Sequence, residues 1–390
     1  MKGTNNVEFH RYLIPIILNS YNNYYARNLH KMNFLLMGLP KSGKSTLFNS
    51  LTKSKKQEIY TESRLGTVKL PDQNLEKISQ WYETEKKVYA EININDPETN
   101  LNFDSSKDFI EKRYVDEIQK FDGVILIIRA FKNDSVVHPY GDINYVNDLE
   151  QFMIESRLID IQIIERRIEN IKKNFKSLNK QEREKDEKNI KTLSEITSLI
   201  EKGESFSSSS FSEQHKIIVK DTFLLAKAPL VVIVNTDEEY DLDNSQVREL
   251  KKLLNQDTRL LTIPLKFEEE LSNMDQAEAH KFRLDFNLDN DEIKDIFPEV
   301  LSVTGSICFL TAGKKECRSW LLRSGSSAVE AASKIHSDIA RGFIRAEVIQ
   351  HSELLKYTNE KEAKDKGVIR REGKNYIIKT GDVVNFLFSV

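Results

Sequence analysis

The sequence predicts an α/β fold: a parallel sheet with helices on both faces, interrupted by a helical insertion and followed by a small α+β module. Three observations predict it. Continuous apolar runs recur along the first 265 residues with helical segments between them. The first run leads directly into Gly38-Leu39-Pro40-Lys41-Ser42-Gly43-Lys44-Ser45-Thr46. After about residue 300 the texture changes to short, glycine-punctuated strands. Alternating strands and helices are what an α/β sheet requires.

The first predicted strand is Asn33–Met37, and "STLFNSLTK" after the loop has apolar residues at helical spacing with no breaker. "KVYAEINI" (Lys87–Ile94) alternates apolar and polar residues and is predicted as one strand. "DGVILIIRAF" (Asp122–Phe131), "APLVVIVN" (Ala228–Asn235) and "RLLTIPL" (Arg259–Leu265) are apolar, as strands buried on both faces of a parallel sheet should be. From Asp148 to Ser212 the pattern breaks. Leu149, Phe152, Ser156, Ile159 and Ile163 follow three-four spacing, and Ile164, Ile168, Ile171, Phe175 and Leu178 continue it after a one-residue shift. Beyond the charged "NKQEREKDEKN", the residues Ile190, Leu193, Ile196 and Ile200 form a second amphipathic run. Two such helices joined by a polar turn make an antiparallel hairpin. A docking arm and a plain solvated helix pair both fit its charge. "SFSSSSFS" (Ser205–Ser212) has the composition of a flexible linker. In the last ninety residues "GSICFLTAG", "CRSWLLRSG", "GKNYIIKTGD" and "VVNFLFSV" are predicted as short strands, and "SAVEAASKIHSDIARGF" as a helix.

Composition narrows the function classes. The chain has 390 residues, 39% of them apolar, 31% charged, and a net charge of -3. That balance does not announce a nucleic-acid binder, although local basic patches remain compatible with it. The two cysteines, Cys308 and Cys317, build neither a disulfide framework nor a zinc quartet, and a reducing, cytoplasmic setting fits them. No apolar run reaches the length of about twenty residues that spans a bilayer. Residues 1–31 carry the short apolar patch "RYLIPIILNSY" (Arg11–Tyr21). They are expected to be an extension ahead of Met32, with a weak targeting segment as the alternative.

The loop itself carries the chemistry. The spacing Gly38-x-x-x-x-Gly43-Lys44-Ser45 lets backbone N–H groups turn inward around phosphates. Lys44 neutralises the β and γ oxygens, the Ser45 hydroxyl is a Mg²⁺ ligand, and the following helix points its N-terminus at the anion. Gly38, Pro40, Lys41, Ser42, Gly43, Lys44, Ser45 and Thr46 are therefore the expected phosphate-binding set. Guanine-binding P-loop proteins carry Asn-Lys-x-Asp at a later strand end, but here the residues are Asn235-Thr236-Asp237-Glu238. The lysine is missing and the carboxylate is one methylene longer, which removes the guanine clamp and favours adenine. Asn235 and Glu238 are the candidate base-side residues.

"GLPKSGKSTLFNSLT", "NTDE", "FEEELSNMDQAE" and "TAGKKECRSWLLRSG…IHSDIARGFIRAEV…REGKNYIIKTGDVVNFLF" together resemble the YchF/Obg-like ATPase family from Met32 to Val390. The resemblance implies a discontinuous P-loop G domain (32–147 and 213–301), a helical coiled-coil insertion (148–212) and a C-terminal TGS domain of β-grasp-like α+β type (302–390), after the N-terminal extension 1–31. It also implies ATP as the preferred nucleotide with Mg²⁺, ribosome or ribosomal RNA as partner, a role in translation or stress responses, and a monomer. By the same resemblance His138, in "FKNDSVVHPYGD", stands where a water-positioning histidine lies.

The sequence departs from the family in three places. Lys41 replaces an asparagine that in cation-dependent relatives helps to hold K⁺, so its ammonium is expected to supply that charge. Asp96-Pro97-Glu98-Thr99 replaces Asp-x-x-Gly, in which the resemblance implies that Asp96 reaches Mg²⁺ through water, and no glycine occurs between Thr67 and Asp122. The second switch has thus lost a backbone donor at Pro97 and the freedom of glycine. Thr61 stands either for the metal-binding threonine of the first switch or for a plain loop threonine. Two functions are compatible with this: a slow Mg²⁺-dependent ATPase, or a nucleotide-binding adaptor that no longer hydrolyses. A small-GTPase-like switch is disfavoured by Asn235-x-x-Glu238. In the tail, Arg341 and Arg345 are candidates for RNA phosphate contact, with surface ion pairs as the plainer alternative. Cys317 beside Arg318 is either a structural cysteine or an accessible thiol.

Overall fold

The computed structural model describes residues 31–53, 63–97, 118, 120–175, 178–204, 210–219, 222, 224–238, 242–285 and 292–389. The expectations placed on residues 1–30, Thr61, Glu98 and Thr99 lie outside them. Two compact units emerge: Asn33–Val68 with Asn93–Thr304, and Lys69–Ile92 with Gly305–Val390.

In chain order the first seven strands are β1 (Met32–Met37), β2 (Arg64–Lys69), β3 (Lys87–Val88), β4 (Glu91–Asp96), β5 (Gly123–Arg129), β6 (Leu230–Asn235) and β7 (Arg259–Ile263). Six of them form one sheet in the order β2-β4-β1-β5-β6-β7. β1, β5, β6 and β7 run parallel, with Leu36 opposite Ile125, and Arg129 opposite Asn235. β5 and β6 are buried at every residue, which is why they carry no polar alternation. The short polar strand β2 was not predicted. The predicted strand Lys87–Ile94 is in fact two strands in two sheets: β3 pairs with the second unit, and β4 with β1 and β2.

The helix Tyr145–Asn174 starts at Asn144, whose side chain accepts from the Asn147 N–H at 3.0 Å. Its first two-thirds bury Leu149, Phe152, Ile159, Ile163 and Ile164 in one cluster with Val124, Leu126, Val232 and Val234 of the sheet. Both sides of the predicted phase shift are therefore buried, and the proximal two-thirds form a core helix rather than part of a solvated arm. The helix Lys180–Glu201 begins at a capping box of Asn179 and Glu182 and joins the same core through Leu193, Ile196 and Ile200. Its first turns are exposed.

In the second unit β8 (Ser306–Thr311), β9 (Cys317–Arg323), β10 (Phe343–Gln350), β11 (Arg370–Glu372) and β12 (Asp382–Phe388) form a mixed sheet with β3, in the order β11-β10-β12-β8-β9-β3. β8 and β12 are parallel, while β9 and β10 flank them antiparallel. The helix Ala328–Ile335 packs Ala328, Ala331 and Ala332 with Phe309, Val348 and Phe386, giving a β-grasp-like α+β layer. Residues Lys69–Ile92 supply a second core to this unit. Asp72 caps the helix Gln73–Trp81 and accepts from the Ser319 hydroxyl at 2.7 Å. Leu75 and Ile78 pack with Leu310, Ile349 and Val383, and the Trp81 indole donates to the Tyr357 carbonyl at 2.7 Å. The predicted helix through Phe343 breaks at His336, and "GKNYIIKTGD" makes one isolated bridge at Ile377 instead of a strand. Cys317 is fully buried, which makes it a structural cysteine, and burial pushes the Cys308 thiol up to about 12.

One buried carboxylate makes stability depend on pH. Asp160 accepts from the Leu225 and Ala226 N–H groups at 2.6 and 2.9 Å, capping the turn that leads to β6. Burial pushes its carboxyl up to about 7, against the pull of those two donors and Lys227. The folded chain then holds this proton more tightly than the unfolded one. Its stabilising contribution is complete near pH 4 and lost as pH rises to about 7. Relative to Asp160→Asn, wild-type stability is expected to fall across that window by on the order of 3 kcal/mol. Denaturant unfolding of both proteins at several pH values checks this; parallel pH profiles would contradict it.

Candidate nucleotide site

The phosphate loop connects β1 to the helix Lys44–Thr52, and two glycines permit its path. At Gly38, with φ 148°, a Cβ would lie 2.4 Å from the Ile127 carbonyl oxygen. At Gly43, with φ 113°, it would lie 2.3 Å from Asn235 Nδ2. Both approaches exclude a side chain. Gly43 is the N-cap, with no side-chain cap and no acidic residue in the first turn, so the helix presents open N–H groups to an anion. Lys44 Nζ donates to the Gly38 and Leu39 carbonyls at 2.8 and 3.0 Å. Burial pushes its ammonium down to about 8, while Asp96 pulls the other way.

A cleft of about 740 Å³ opens over the loop, lined in part by Pro40, Lys41, Gly43, Lys44, Ser45 and Thr46. Asn235, Glu238 and Asp96 also line it. Gly38 and Ser42 do not. Gly38 turns the chain beneath the loop, and the Ser42 side chain is buried there without a hydrogen-bond partner for its hydroxyl. Lys41 is exposed and sits at φ 65°, a left-handed conformation that costs a non-glycine residue about 1–3 kcal/mol.

Asn235 lines the cleft and also has a structural task. Its Nδ2 donates to the Ser42 carbonyl at 2.9 Å, and its Oδ1 accepts from the Leu265 N–H at 3.1 Å. The amide thus braces the loop against the start of the helix Leu265–Ser272, whose N-cap, Pro264, makes no side-chain cap bond. Glu238 is exposed at the cleft, and Asp237 Oδ2 accepts from the Lys132 N–H at 3.0 Å.

His138 is not brought into the cleft. It is buried, with Nε2 3.0 Å from Asp148 Oδ2 and Nδ1 accepting from the Tyr140 N–H at 3.3 Å. Both ring nitrogens are occupied, and the turn closes through the Gly141 N–H to the His138 carbonyl at 3.0 Å. The capture by Asp148 went unpredicted because ten residues and a helix start separate the partners. Burial raises the Asp148 carboxyl while the histidine opposes that shift.

Two arginines escaped the sequence analysis. Arg129, at the end of β5, is buried and donates to the Phe131, Val136 and Asn133 carbonyls at 3.2, 2.7 and 3.2 Å. It thereby shapes the cleft rim formed by Phe131, Lys132, Asn133 and Val136. Arg64, at the start of β2, pairs with Asp96 inside the cleft. Position alone does not reveal either role: one arginine ends an apolar run and the other begins a strand too polar to recognise.

For Mg²⁺ the protein offers the Ser45 hydroxyl and the Asp96 carboxylate, which are 3.4 Å apart. Among the described residues no group of three His, Cys, Asp or Glu side chains makes another metal site. The chemistry of the two oxygens suits the ion, but Arg64 already occupies the Asp96 oxygen that faces Ser45, so the pair as it stands does not fit a metal held by both. In the second unit Arg341 pairs with Asp338 at 2.9 Å, and Arg345 is exposed near the Glu347–Arg371 pair. Among the described residues no helix is long and apolar enough to cross a membrane.

A strand, a glycine-turned loop, a lysine reaching back across it and an uncapped helix N-terminus define a P-loop nucleotide-binding protein of the G-domain type. The family YchF-GTPase_C, described as a protein of unknown function (DUF933), matches residues 307–389. The "Ribosome-binding ATPase YchF" of Buchnera aphidicola subsp. Schizaphis graminum is 30% identical over 361 residues, which cover 91% of this chain and 98% of the relative. The protein of the same name from Bacillus subtilis is 28% identical over 364 residues, with the same coverage. The chain belongs to the YchF family. Its fold is similar to that of the Schizosaccharomyces pombe YchF GTPase, with TM-score 0.76, 21% identity, and 92% and 98% of the two chains covered. A GTP-binding protein from Pyrococcus horikoshii shares the fold more distantly, with TM-score 0.57, 14% identity, and 92% and 100% covered.

Removing the Asn235 brace leaves the Ser42 carbonyl and the Leu265 N–H without their partner. Asn235→Ala is expected to lower stability by about 2–6 kcal/mol, one to three for each buried group left unsatisfied. Nucleotide affinity should fall with it. Denaturant unfolding and a nucleotide titration of the same variant check this; unchanged affinity would mean that the loop holds its shape without the brace.

Proposed function

We propose that the chain is an ATP-binding P-loop NTPase that works at the ribosome in the cytoplasm. The braced loop with Lys44 folded across it carries the nucleotide half of this proposal. The names of the curated relatives, each a ribosome-binding ATPase, support the rest. Lys44, the helix N-terminus and the exposed Lys41 receive the phosphates, and the Thr236–Glu238 side of the cleft receives the base. ATP is preferred because no lysine and no aspartate stand where a guanine clamp needs them. Mg²⁺ brought in on the nucleotide would supply charge at the phosphates during hydrolysis. The TGS-like unit, with Arg345 exposed, is the proposed ribosomal contact.

Hydrolysis is the narrower part of the proposal. A water-positioning role for His138 requires the ring to leave Asp148 and turn toward the cleft. That lock, together with Pro97 in the altered switch, favours a second reading, in which the chain holds nucleotide as an adaptor without cutting it. Steady-state ATP turnover on a preparation shown to bind ATP, with Lys44→Ala as control, separates the two. The ATPase reading predicts slow turnover above the control, and tight binding with turnover equal to the control would contradict it.

Lys41 gives an independent test. Its ammonium stands where the family resemblance puts a K⁺-holding asparagine. Exchange of Na⁺ for K⁺ should therefore leave wild-type ATP binding unchanged. Lys41→Asn should introduce K⁺ dependence, and should stabilise the fold because asparagine tolerates the left-handed conformation better. Strong K⁺ stimulation of the wild type would show that Lys41 does not replace the ion.

A further inference from the structure

Asp96 has a cationic partner supplied by the chain itself. The Arg64 guanidinium is in an ion pair with Asp96 Oδ2, the same oxygen that lies 3.4 Å from the Ser45 hydroxyl. Side-chain exposures are 14% for Arg64 and 7% for Asp96, so water screens the pair only partly. The geometry is built rather than incidental. Arg64 Nη1 donates to Asn49 Oδ1 at 3.0 Å, and its Cζ lies 4.3 Å above the Phe48 ring centroid. Phe48 and Asn49 belong to the helix that follows the phosphate loop, and both are buried. Asn49 is held in turn, with Nδ2 3.4 Å from Glu269 Oε1. Gly66, two residues along β2, brings the strand close enough that a Cβ there would lie 2.3 Å from Thr52. Arg64 and Lys41 both line the cleft that holds Lys44 and Ser45.

We propose that Arg64 is the resident counter-charge of the phosphate site, holding Asp96 where a divalent ion otherwise would, so that this chain binds nucleoside triphosphate without Mg²⁺. The charge balance supports it. Mg²⁺ beside an aspartate leaves one net positive charge for the phosphates. Arg64 beside Asp96 cancels the carboxylate that would otherwise repel the phosphates, and Lys44 lines the same cleft. A guanidinium also presents N–H donors in a planar fork suited to phosphate oxygens, which makes arginine a better substitute than lysine at this position. Mg²⁺ can still bind the nucleotide itself, but its entry at Asp96 must displace an ion pair already made.

The proposal rests on the nucleotide-binding reading above, and the experiment separates the two. Binding of a fluorescent ATP analogue is titrated at constant ionic strength, with EDTA and with excess Mg²⁺, to wild type, Arg64→Gln and Arg64→Lys of the full chain, after thermal melts have checked folding. Wild-type affinity should change by less than about threefold between the two conditions, whereas Arg64→Gln should lose at least about tenfold in EDTA and regain it with Mg²⁺. Arg64→Lys, which keeps the charge but not the fork, should fall between them. Wild-type binding that needs Mg²⁺ overturns this inference alone. So does an Arg64→Gln protein that is as indifferent to Mg²⁺ as the wild type. If Arg64→Gln does not fold, the wild type and Arg64→Lys decide in the same terms. Absence of binding to the wild type in both conditions overturns the nucleotide reading, and this inference with it.

Discussion

The Asn235 carboxamide joins three parts of the nucleotide unit that would otherwise be independent. One end holds the phosphate loop through the Ser42 carbonyl, and the other supplies the missing acceptor at the N-terminus of the helix Leu265–Ser272. Its nitrogen lies where a side chain at position 43 would have to go. The glycine of the motif is therefore required twice, once for its positive φ and once for this approach. Because Asn235 ends β6, buried at every residue between β5 and β7, the brace is anchored in the most rigid part of the sheet. The loop can then keep an open, anion-ready shape, as expected of a preorganised site.

Around this frame the chemistry has been redistributed. The second switch has proline where the family pattern has a backbone donor, and the histidine expected to aim water is tied to Asp148 under the surface. Positive charge has moved the other way. Lys41 accepts a left-handed backbone in order to stand at the loop, and Arg64 is wedged between Phe48, Asn49 and Asp96. Both changes favour holding an anion over orienting a nucleophile. Catalysis requires groups that act on the transition state rather than on the bound ground state. Lysine and arginine lining the cleft would serve binding in either state, whereas the histidine would have served only hydrolysis.

Much of this was legible in the sequence because it follows from periodicity or a fixed spacing. The buried strands β5 and β6 have no polar alternation to confuse them, and Gly38 to Ser45 is a steric prescription. What escaped were relations across the chain. Asn235 is visible as a base-side residue, but its engagement with Ser42 and Leu265 depends on strand order. The catalytic reading of His138 came from the resemblance alone, and nothing in its own neighbourhood reveals that Asp148 will cover it. β2 is too polar and β3 too short to be recognised, and "KVYAEINI" hides a change of sheet at Tyr89 and Ala90. Asp72 and Trp81 gave no hint that their helix completes the core beneath Ser319 and Tyr357, because those partners lie more than two hundred residues away. Local rules settle elements, whereas long-range hydrogen bonds settle what the elements are for.

If the braced loop is a ready-made seat for the phosphates of ATP, its backbone N–H groups should report ATP in amide hydrogen exchange. Added protection is expected to concentrate in residues 41–46, with the amide of Leu265 already slow to exchange before ATP is added. Protection spread evenly over the chain, or absent from the loop at saturating ATP, would contradict it.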